Sequence, residues 1–171
     1  MKKHNLTEPN LKSLMSMLAS GETGTRMKAR KSLTSLGTPA VPSLTRALHN
    51  SKLEHLRWEA AKTLGAINDP KAIPSLVKAL EDEDHDVAWL AAEALKKFKK
   101  AAWPKLMHAL IKTKEDSIAL RHGVHHVLKN QKEEGFNDLL SAIRNALKSN
   151  AAPERTAIAA SEIIRRMELK P

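Results

Sequence analysis

Five copies of a unit of about 31 residues run along this chain, and the copies share the same apolar positions. An apolar residue opens each copy, and consecutive openings are 30, 32, 30 and 33 residues apart. These opening residues are Leu11, Val41, Ile73, Trp103 and Phe136. Apolar residues follow three, six and seven positions later, which is the periodicity of one helix face. A repeat of this length is typical of a solenoid, in which each unit packs on its neighbours.

Each of the first four copies also carries a second stripe, at positions i, i+4, i+8 and i+11, that predicts a second helix. The stripe begins at Thr25, Leu56, Val87 and Leu120. Its second position holds the small residues Ala29, Ala60, Ala91 and Val124. Its third position holds Leu33, Leu64, Leu95 and Leu128. Small residues in the middle of the stripe allow neighbouring helices to approach closely. The repeat therefore reads as a pair of helices.

Proline placement supports this division, because a proline is tolerated in the first turn of a helix and not in its interior. Units two to four have their proline directly after the opening residue, at Pro42, Pro74 and Pro104. We predict helix pairs near 10–36, 40–67, 70–98, 101–130 and 134–168. The core face of the last helix is predicted at Ala160, Ile164 and Met167. The prediction is a single all-α domain over 1–171, with atypical terminal units that cap the stack.

Composition restricts the functional classes. The 171 residues contain no cysteine, which excludes disulfides and cysteine-based metal sites. No stretch has the length and apolarity of a membrane span, and MKKHNLTEPN lacks the apolar run of a signal peptide. We therefore expect a soluble, cytoplasmic monomer. A net charge of +10 favours acidic partners, and a merely solubilising surface would give the same excess.

The most regular part of the chain carries a family resemblance. The stretch LRWEAAKTLGAINDPKAIPSLVKALEDEDHDVAWLAAEAL combines an apolar residue with Arg, paired alanines, Leu-Gly, an Asp-containing turn, Ile-Pro-x-Leu and Ala-Leu. This pattern resembles HEAT-like repeats of the type named after phycocyanobilin lyases, over about residues 10–168. The resemblance implies an α-α superhelix whose second helices line the concave side. It leaves the chemistry open, because the same repeat serves scaffolds and enzymes.

The second helices also carry a candidate binding surface outside the core stripe. By the geometry of the resembled family, these positions lie in or beside the concave groove. The candidates are Trp58, Trp89, Arg26, Arg57, Arg121, Lys62 and His122. Trp58 and Trp89 are expected to lie side by side in adjacent units, and Trp and Arg are enriched at binding hot spots. Alternatively, the tryptophans fill the space between helices.

The arginine column has a structural interpretation that competes with binding. Each guanidinium could pair with a carboxylate in a nearby loop and so form a ladder along the stack. The expected partners are Glu54, Asp84, Asp86 and Asp116. Unit three has Ala88 at the arginine position, which would leave the ladder incomplete.

Metal and catalytic sites are not predicted. His122 and His126 are one turn apart and could chelate a metal, but two imidazoles without a third ligand make a weak site. Deoxyhypusine hydroxylases, which resemble this chain in their repeats, hold iron with His-Glu pairs on the second helix. The corresponding pairs here are Trp58-Glu59, Trp89-Leu90 and His122-Gly123. No nucleophile–base or phosphate-cradling motif is present. We therefore predict no metal, no cofactor and no catalytic residue.

Three functions remain open. The leading hypothesis is a non-enzymatic interaction module whose groove binds an acidic peptide or protein face. The alternative is nucleic-acid binding through the basic clusters Arg26–Lys31 and Lys96–Lys100, as in HEAT-like DNA glycosylases. A third possibility, a phycobilin lyase-like protein, follows from the resemblance alone.

Overall fold

Every regular element of the computed structural model, which describes residues 8–112, 117–148 and 153–169, is a helix. The helices are α1 (Glu8–Leu18), α2 (Thr23–Leu36), α3 (Val41–Asn50), α4 (Glu54–Ile67), α5 (Ile73–Lys78), α6 (His85–Phe98), α7 (Trp103–Lys112), α8 (Ile118–Leu128), α9 (Asn137–Lys148) and α10 (Pro153–Leu169). Turns of 3-10 helix at Thr38–Ala40, Pro70–Ala72 and Lys99–Ala102 lead into α3, α5 and α7, and Ala79–Glu81 extends α5. The prediction of an all-α stack of five helix pairs is confirmed.

Local sequence sets where the helices begin. Pro42 and Pro74 occupy the first turns of α3 and α5, where the missing N–H has no partner to lose. The side chain of Asp84 caps α6 by accepting hydrogen bonds from the N–H groups of Asp86 and Val87. Ser117 caps α8 in the same way by accepting from Leu120 N–H. These caps fix the entry of the second helices on which the candidate groove is built.

The second helices of the first four pairs stack on one another. We call α2, α4, α6 and α8 the second-helix layer; α4 packs between α2 and α6, and α8 packs on α6. The small residues of the stripe, Ala29, Ala60, Ala91 and Val124, are fully buried, as are Leu33, Leu64, Leu95 and Leu128. Leu11 and Leu14 are only half-buried, because α1 packs mainly on α2. No described helix combines the length and the apolarity needed to cross a bilayer.

The fifth pair departs from the regular stacking. Its first helix, α9, packs on α8 of the second-helix layer, whereas its second helix, α10, packs mainly on α7 and α9. The guanidinium of Arg144 in α9 reaches the carbonyl groups of Leu128 and Gln131 at the end of α8, 3.3 Å away in each case. The core face of α10 therefore differs in part from the prediction: Ala160 is buried as expected, Ile163 is buried as well, and Ile164 and Met167 are half-buried.

One close approach holds α4 and α6 together. A Cβ built on Gly65 would lie 2.6 Å from Ala94 Cβ and 3.0 Å from Ala94 Cα, closer than side chains pack. Gly65→Ala should therefore push the two helices apart and lower the free energy of unfolding by about 1–3 kcal/mol. Urea unfolding measures the change. Gly24→Ala in α2 is the matched control, since its new Cβ meets only the flexible end of Glu22 at 3.4 Å. Equal stability of the two variants would contradict the close packing.

Candidate binding groove on the second-helix layer

A groove of about 710 Å³ crosses the surface of α2, α4 and α6. Its basic side chains are Arg30, Lys31, Lys62 and Lys97. Its apolar lining includes Met27, Ala66, Trp89, Leu90 and Ala94. Glu93 is the single carboxylate among its described lining residues. The groove therefore combines an apolar floor with an excess of positive charge, and of the predicted site residues it contains Lys62 and Trp89.

Trp89 is the most prominent side chain of this surface. It is 54% exposed, and it lines both the groove and a second cleft of about 400 Å³ between α6 and α8. The second cleft also contains Ile118, which is 67% exposed, together with the predicted site residue His122. An apolar surface thus continues from the groove across Trp89 toward α8.

Trp58 does not form an exposed strip with Trp89, contrary to the expectation from their shared column. Its side chain is half-buried and packs against the core, and its indole Nε1–H donates to Asp84 Oδ1 at 2.9 Å. This hydrogen bond is the main cause that lowers the pKa of Asp84, followed by the backbone N–H of Val87. Because Asp84 belongs to the next unit, Trp58 joins two units and lines neither the groove nor the second cleft.

Arg57 holds the stack together through a buried ion pair. It is 6% exposed, its Nε and Nη2 donate to the carboxylate of Asp82 at 3.1 and 3.0 Å, and its Nη1 donates to the Ser51 carbonyl at 3.0 Å. A carboxylate ladder was expected, and Arg57 does pair with the carboxylates of a nearby loop, but these are Asp82 and, at 3.4 Å, Glu83, and not Glu54, Asp84 or Asp86. The remaining expected partner, Asp116, lies outside the described residues.

Arg26 and Arg121 also bind the ends of helices. Arg26 donates to the carbonyl groups of Ser20 and Gly21 at 3.0 and 2.8 Å, and its Nε lies 3.6 Å from the buried carboxylate of Glu59. Arg121 is 8% exposed and donates to the Ala146 carbonyl at 3.0 Å. The side chains of all three arginines thus bind other groups of the protein. The cations that line the groove come from other positions.

Three groove cations were not among the candidate groove residues, although the basic clusters of the nucleic-acid hypothesis contain them: Arg30, Lys31 and Lys97. Lys97 has a readable signal, because Trp89, Glu93 and Lys97 follow one another at i, i+4 and i+8 on one face of α6. No such sequence signal identifies Arg30, which lies beside the core stripe. In the structure its Nη1 lies 2.6 Å from Glu59 Oε2.

A polar cluster lies beside Trp89, where the groove meets the second cleft. Glu93 Oε1 lies 2.5 Å from Lys96 Nζ and 2.6 Å from His126 Nε2, and the His126 ring lies 6.2 Å from that of Trp89. The hydrogen bond from Lys96 and then that from His126 hold the pKa of Glu93 below its usual range. Among the residues described, no three His, Cys, Asp or Glu side chains are placed to hold a metal ion.

The pKa values of two histidines outside the groove predict that the folded protein loses stability in mild acid. Burial, followed by Lys78, lowers the pKa of His49 against the opposing effect of Asp82. Burial, followed by Lys148, Lys129, Arg144 and His122, lowers the pKa of His125.

Because these two pKa values are lower in the folded state, the unfolded chain binds protons first as the pH falls below about 6.5. The free energy of unfolding should therefore fall between about pH 7 and pH 5.5. Chemical unfolding at several pH values measures the slope. The double variant His49→Gln/His125→Gln should flatten it, and an unchanged slope would show that other groups titrate in this range.

Comparison with known proteins agrees with the helical-repeat fold. The family described as HEAT repeats matches residues 11–96, which is half of the chain. The fold is similar to a chain in the complex of CpcE and CpcF of phycocyanin lyase from Nostoc sp. PCC7120, with a TM-score of 0.57 and 18% sequence identity over 92% of this chain and 99% of that chain. No curated protein sequence matches at a significant level.

Proposed function

This chain belongs to the HEAT repeat family, and from that membership we propose that it is a non-enzymatic interaction module whose groove binds an acidic segment of another protein. The observation that carries the proposal is the groove between α2, α4 and α6, which pairs an exposed tryptophan with a set of lysines. Helical repeats commonly use extended surfaces of this kind for binding.

The charge balance of the groove favours an acidic ligand. The carboxylate of Glu59 neutralises the charge of Arg30, and the ammonium group of Lys96 neutralises the charge of Glu93. Lys31, Lys62 and Lys97 then remain as exposed ammonium groups around an apolar floor. These three cations form no ion pair within the described part of the chain, and they attract carboxylates over a distance and raise the rate of association.

The exposed apolar side chains supply the other part of the interaction. Trp89 and Met27 are each 54% exposed, and burying such surface against a partner is favourable. A tryptophan at the centre of an interface is a frequent hot spot. A partner with both an apolar face and an acidic face, such as an amphipathic helix, would satisfy the floor and the lysines together.

The other two hypotheses have weaker support. In the basic cluster near α6, Lys96 is paired with Glu93 and Lys100 lies 3.5 Å from Glu133, which reduces the charge available to phosphates of a nucleic acid. The similarity to the phycocyanin lyase chain supports a common fold, and at 18% identity it carries no lyase residue across. That neighbour is a complex of two named chains, which agrees with a protein as partner.

Reversing one groove charge tests the proposal. We expect Lys62→Glu to weaken binding of an amphipathic helical peptide with one Leu face and one Glu face by about tenfold, through lost electrostatic attraction. Fluorescence anisotropy of the labelled peptide at fixed ionic strength gives the affinity. Lys105→Glu is the matched control, because Lys105 is an exposed lysine of α7 outside the groove.

The same titrations with a labelled DNA duplex separate the alternatives. The interaction-module proposal requires that the wild-type protein bind the Glu-faced peptide more tightly than a Lys-faced peptide and more tightly than the duplex. Tighter binding of the duplex, weakened by Lys62→Glu, would assign the groove to nucleic acid. Equal effects of Lys62→Glu and Lys105→Glu would remove the groove as the site.

A further inference from the structure

A second basic site lies away from the groove, where the end of α6 meets the end of α8. A cleft of about 470 Å³ opens there between Lys99–Ala102 and the segment that follows α8. Its charged lining consists of Lys96, Lys99, Lys100, Lys132 and Glu133. Trp103, which is fully buried, forms part of its wall. The binding groove and this cleft share no residue.

Lys99 occupies a backbone conformation that disfavours a side chain. Its φ and ψ angles are 49° and −132°, and the residue at the same turn of the first unit, with angles of 70° and −139°, is Gly37. At the corresponding turn of the second unit, Asn68 adopts a left-handed backbone conformation. Glycine meets no steric penalty at such angles, whereas lysine does. A lysine at this turn therefore weakens the fold, which points to a role for its side chain.

The charges of the cleft do not cancel. Lys96 is matched by Glu93, and Lys100 is matched by Glu133 at 3.5 Å and lies 4.6 Å from the centre of the Phe136 ring. The side chains of Lys99 and Lys132 are exposed, and no ion pair within the described part of the chain involves either of them. Two ammonium groups in one concave site thus lack a counter-charge.

We propose that this cleft binds a phosphate dianion, either inorganic phosphate or the phosphate of a small monoester. Lys99 and Lys132 supply the two positive charges that such a dianion requires, and charge-assisted hydrogen bonds from ammonium groups are among the stronger contacts to phosphate. Glu133 and Phe136 hold Lys100 beside them as a further donor. The strained turn at Lys99 places this residue among those that line the cleft.

Two variants test the site with inorganic phosphate as the probe. Backbone amide shifts of 99–103 and 130–133, followed by NMR, should move with phosphate and not with chloride at the same ionic strength. We expect Lys132→Gln and Lys99→Gly each to weaken this response about tenfold, since each removes one of two charges. Lys105→Gln is the control for a general loss of charge, and its response should equal that of the wild-type protein.

The Lys99→Gly variant gives a second, independent result. Without phosphate it should melt at a higher temperature than the wild-type protein, because glycine relieves the strained turn, and yet phosphate should stabilise it less. Asn68→Gly relieves a turn outside the cleft and should keep the full phosphate response. Titration with glycerol phosphate distinguishes a monoester from the inorganic ion by relative affinity. Cleft shifts that do not respond to phosphate, or that are unchanged in both lysine variants, would overturn the proposal.

Discussion

Leu76→Ala is expected to lower the free energy of unfolding by about 2–5 kcal/mol, among the largest stability changes that a single truncation in this chain can cause. Leu76 is fully buried in α5, in the middle of the stack. Its column also holds Leu44 and Leu106, which are fully buried as well. Neighbouring units hold the surrounding helices in place, so the site cannot collapse easily and the truncation leaves a cavity. Urea unfolding followed by circular dichroism measures the loss.

Leu53→Ala provides the matched control for this truncation. Leu53 is 48% exposed and directly precedes α4, so the same chemical change there removes little buried surface. The control should change the free energy of unfolding by less than about 0.5 kcal/mol. A Leu76→Ala variant as stable as the control would show that the repeat columns do not form the core.

The sequence predicts the core of the first four units well because the same contacts recur in every copy. A position that is buried in one unit faces the same neighbours in the next unit, so Ala60 and Ala91 share one environment, as do Leu64 and Leu95. Recurrence at a fixed spacing therefore reports burial more strongly than the hydrophobicity of any single segment.

Recurrence does not predict the packing of the fifth pair. The apolar face of α9, formed by Leu139, Leu140, Ile143 and Leu147, has the correct period for a packed helix. A helical period identifies the buried face and does not identify the helix that covers it. Within the described part of the chain no further unit packs on the last pair, so recurrence does not predict how its helices are covered. In the structure α9 joins the second-helix layer and α10 covers α7.

The sequence indicates a candidate surface on the second helices, and it does not predict the role of each residue there. The sequence places Arg57, Trp58 and Lys62 outside the core stripe of α4. It does not show which carboxylates of the next unit lie next to these side chains. Asp82 takes the guanidinium of Arg57, and Asp84 takes the indole N–H of Trp58. These acids come from a loop whose conformation depends on packing, and so the division between stabilising and exposed side chains required the structure.

The two tryptophans should therefore respond in opposite ways to truncation. Trp58→Ala should lower the free energy of unfolding by about 3 kcal/mol, because it removes a half-buried ring and the hydrogen bond to Asp84. Trp89→Ala should change stability by less than about 1 kcal/mol, since 54% of the side chain is exposed. By contrast, Trp89→Ala should weaken binding of the Glu-faced peptide by about 2 kcal/mol, or roughly 30-fold.

Thermal melts and peptide titrations on the same two proteins separate these effects. Trp58→Phe is a useful third variant, because it keeps a ring in the packed position and removes only the donor to Asp84, so that its loss should be about 1 kcal/mol. The two tryptophans occupy one column in adjacent units, but only Trp58 has a carboxylate of the described chain as its hydrogen-bond acceptor. If Trp89→Ala melts as far below the wild-type protein as Trp58→Ala does, Trp89 is a packing residue, and Lys31, Lys62 and Lys97 alone would have to define the groove.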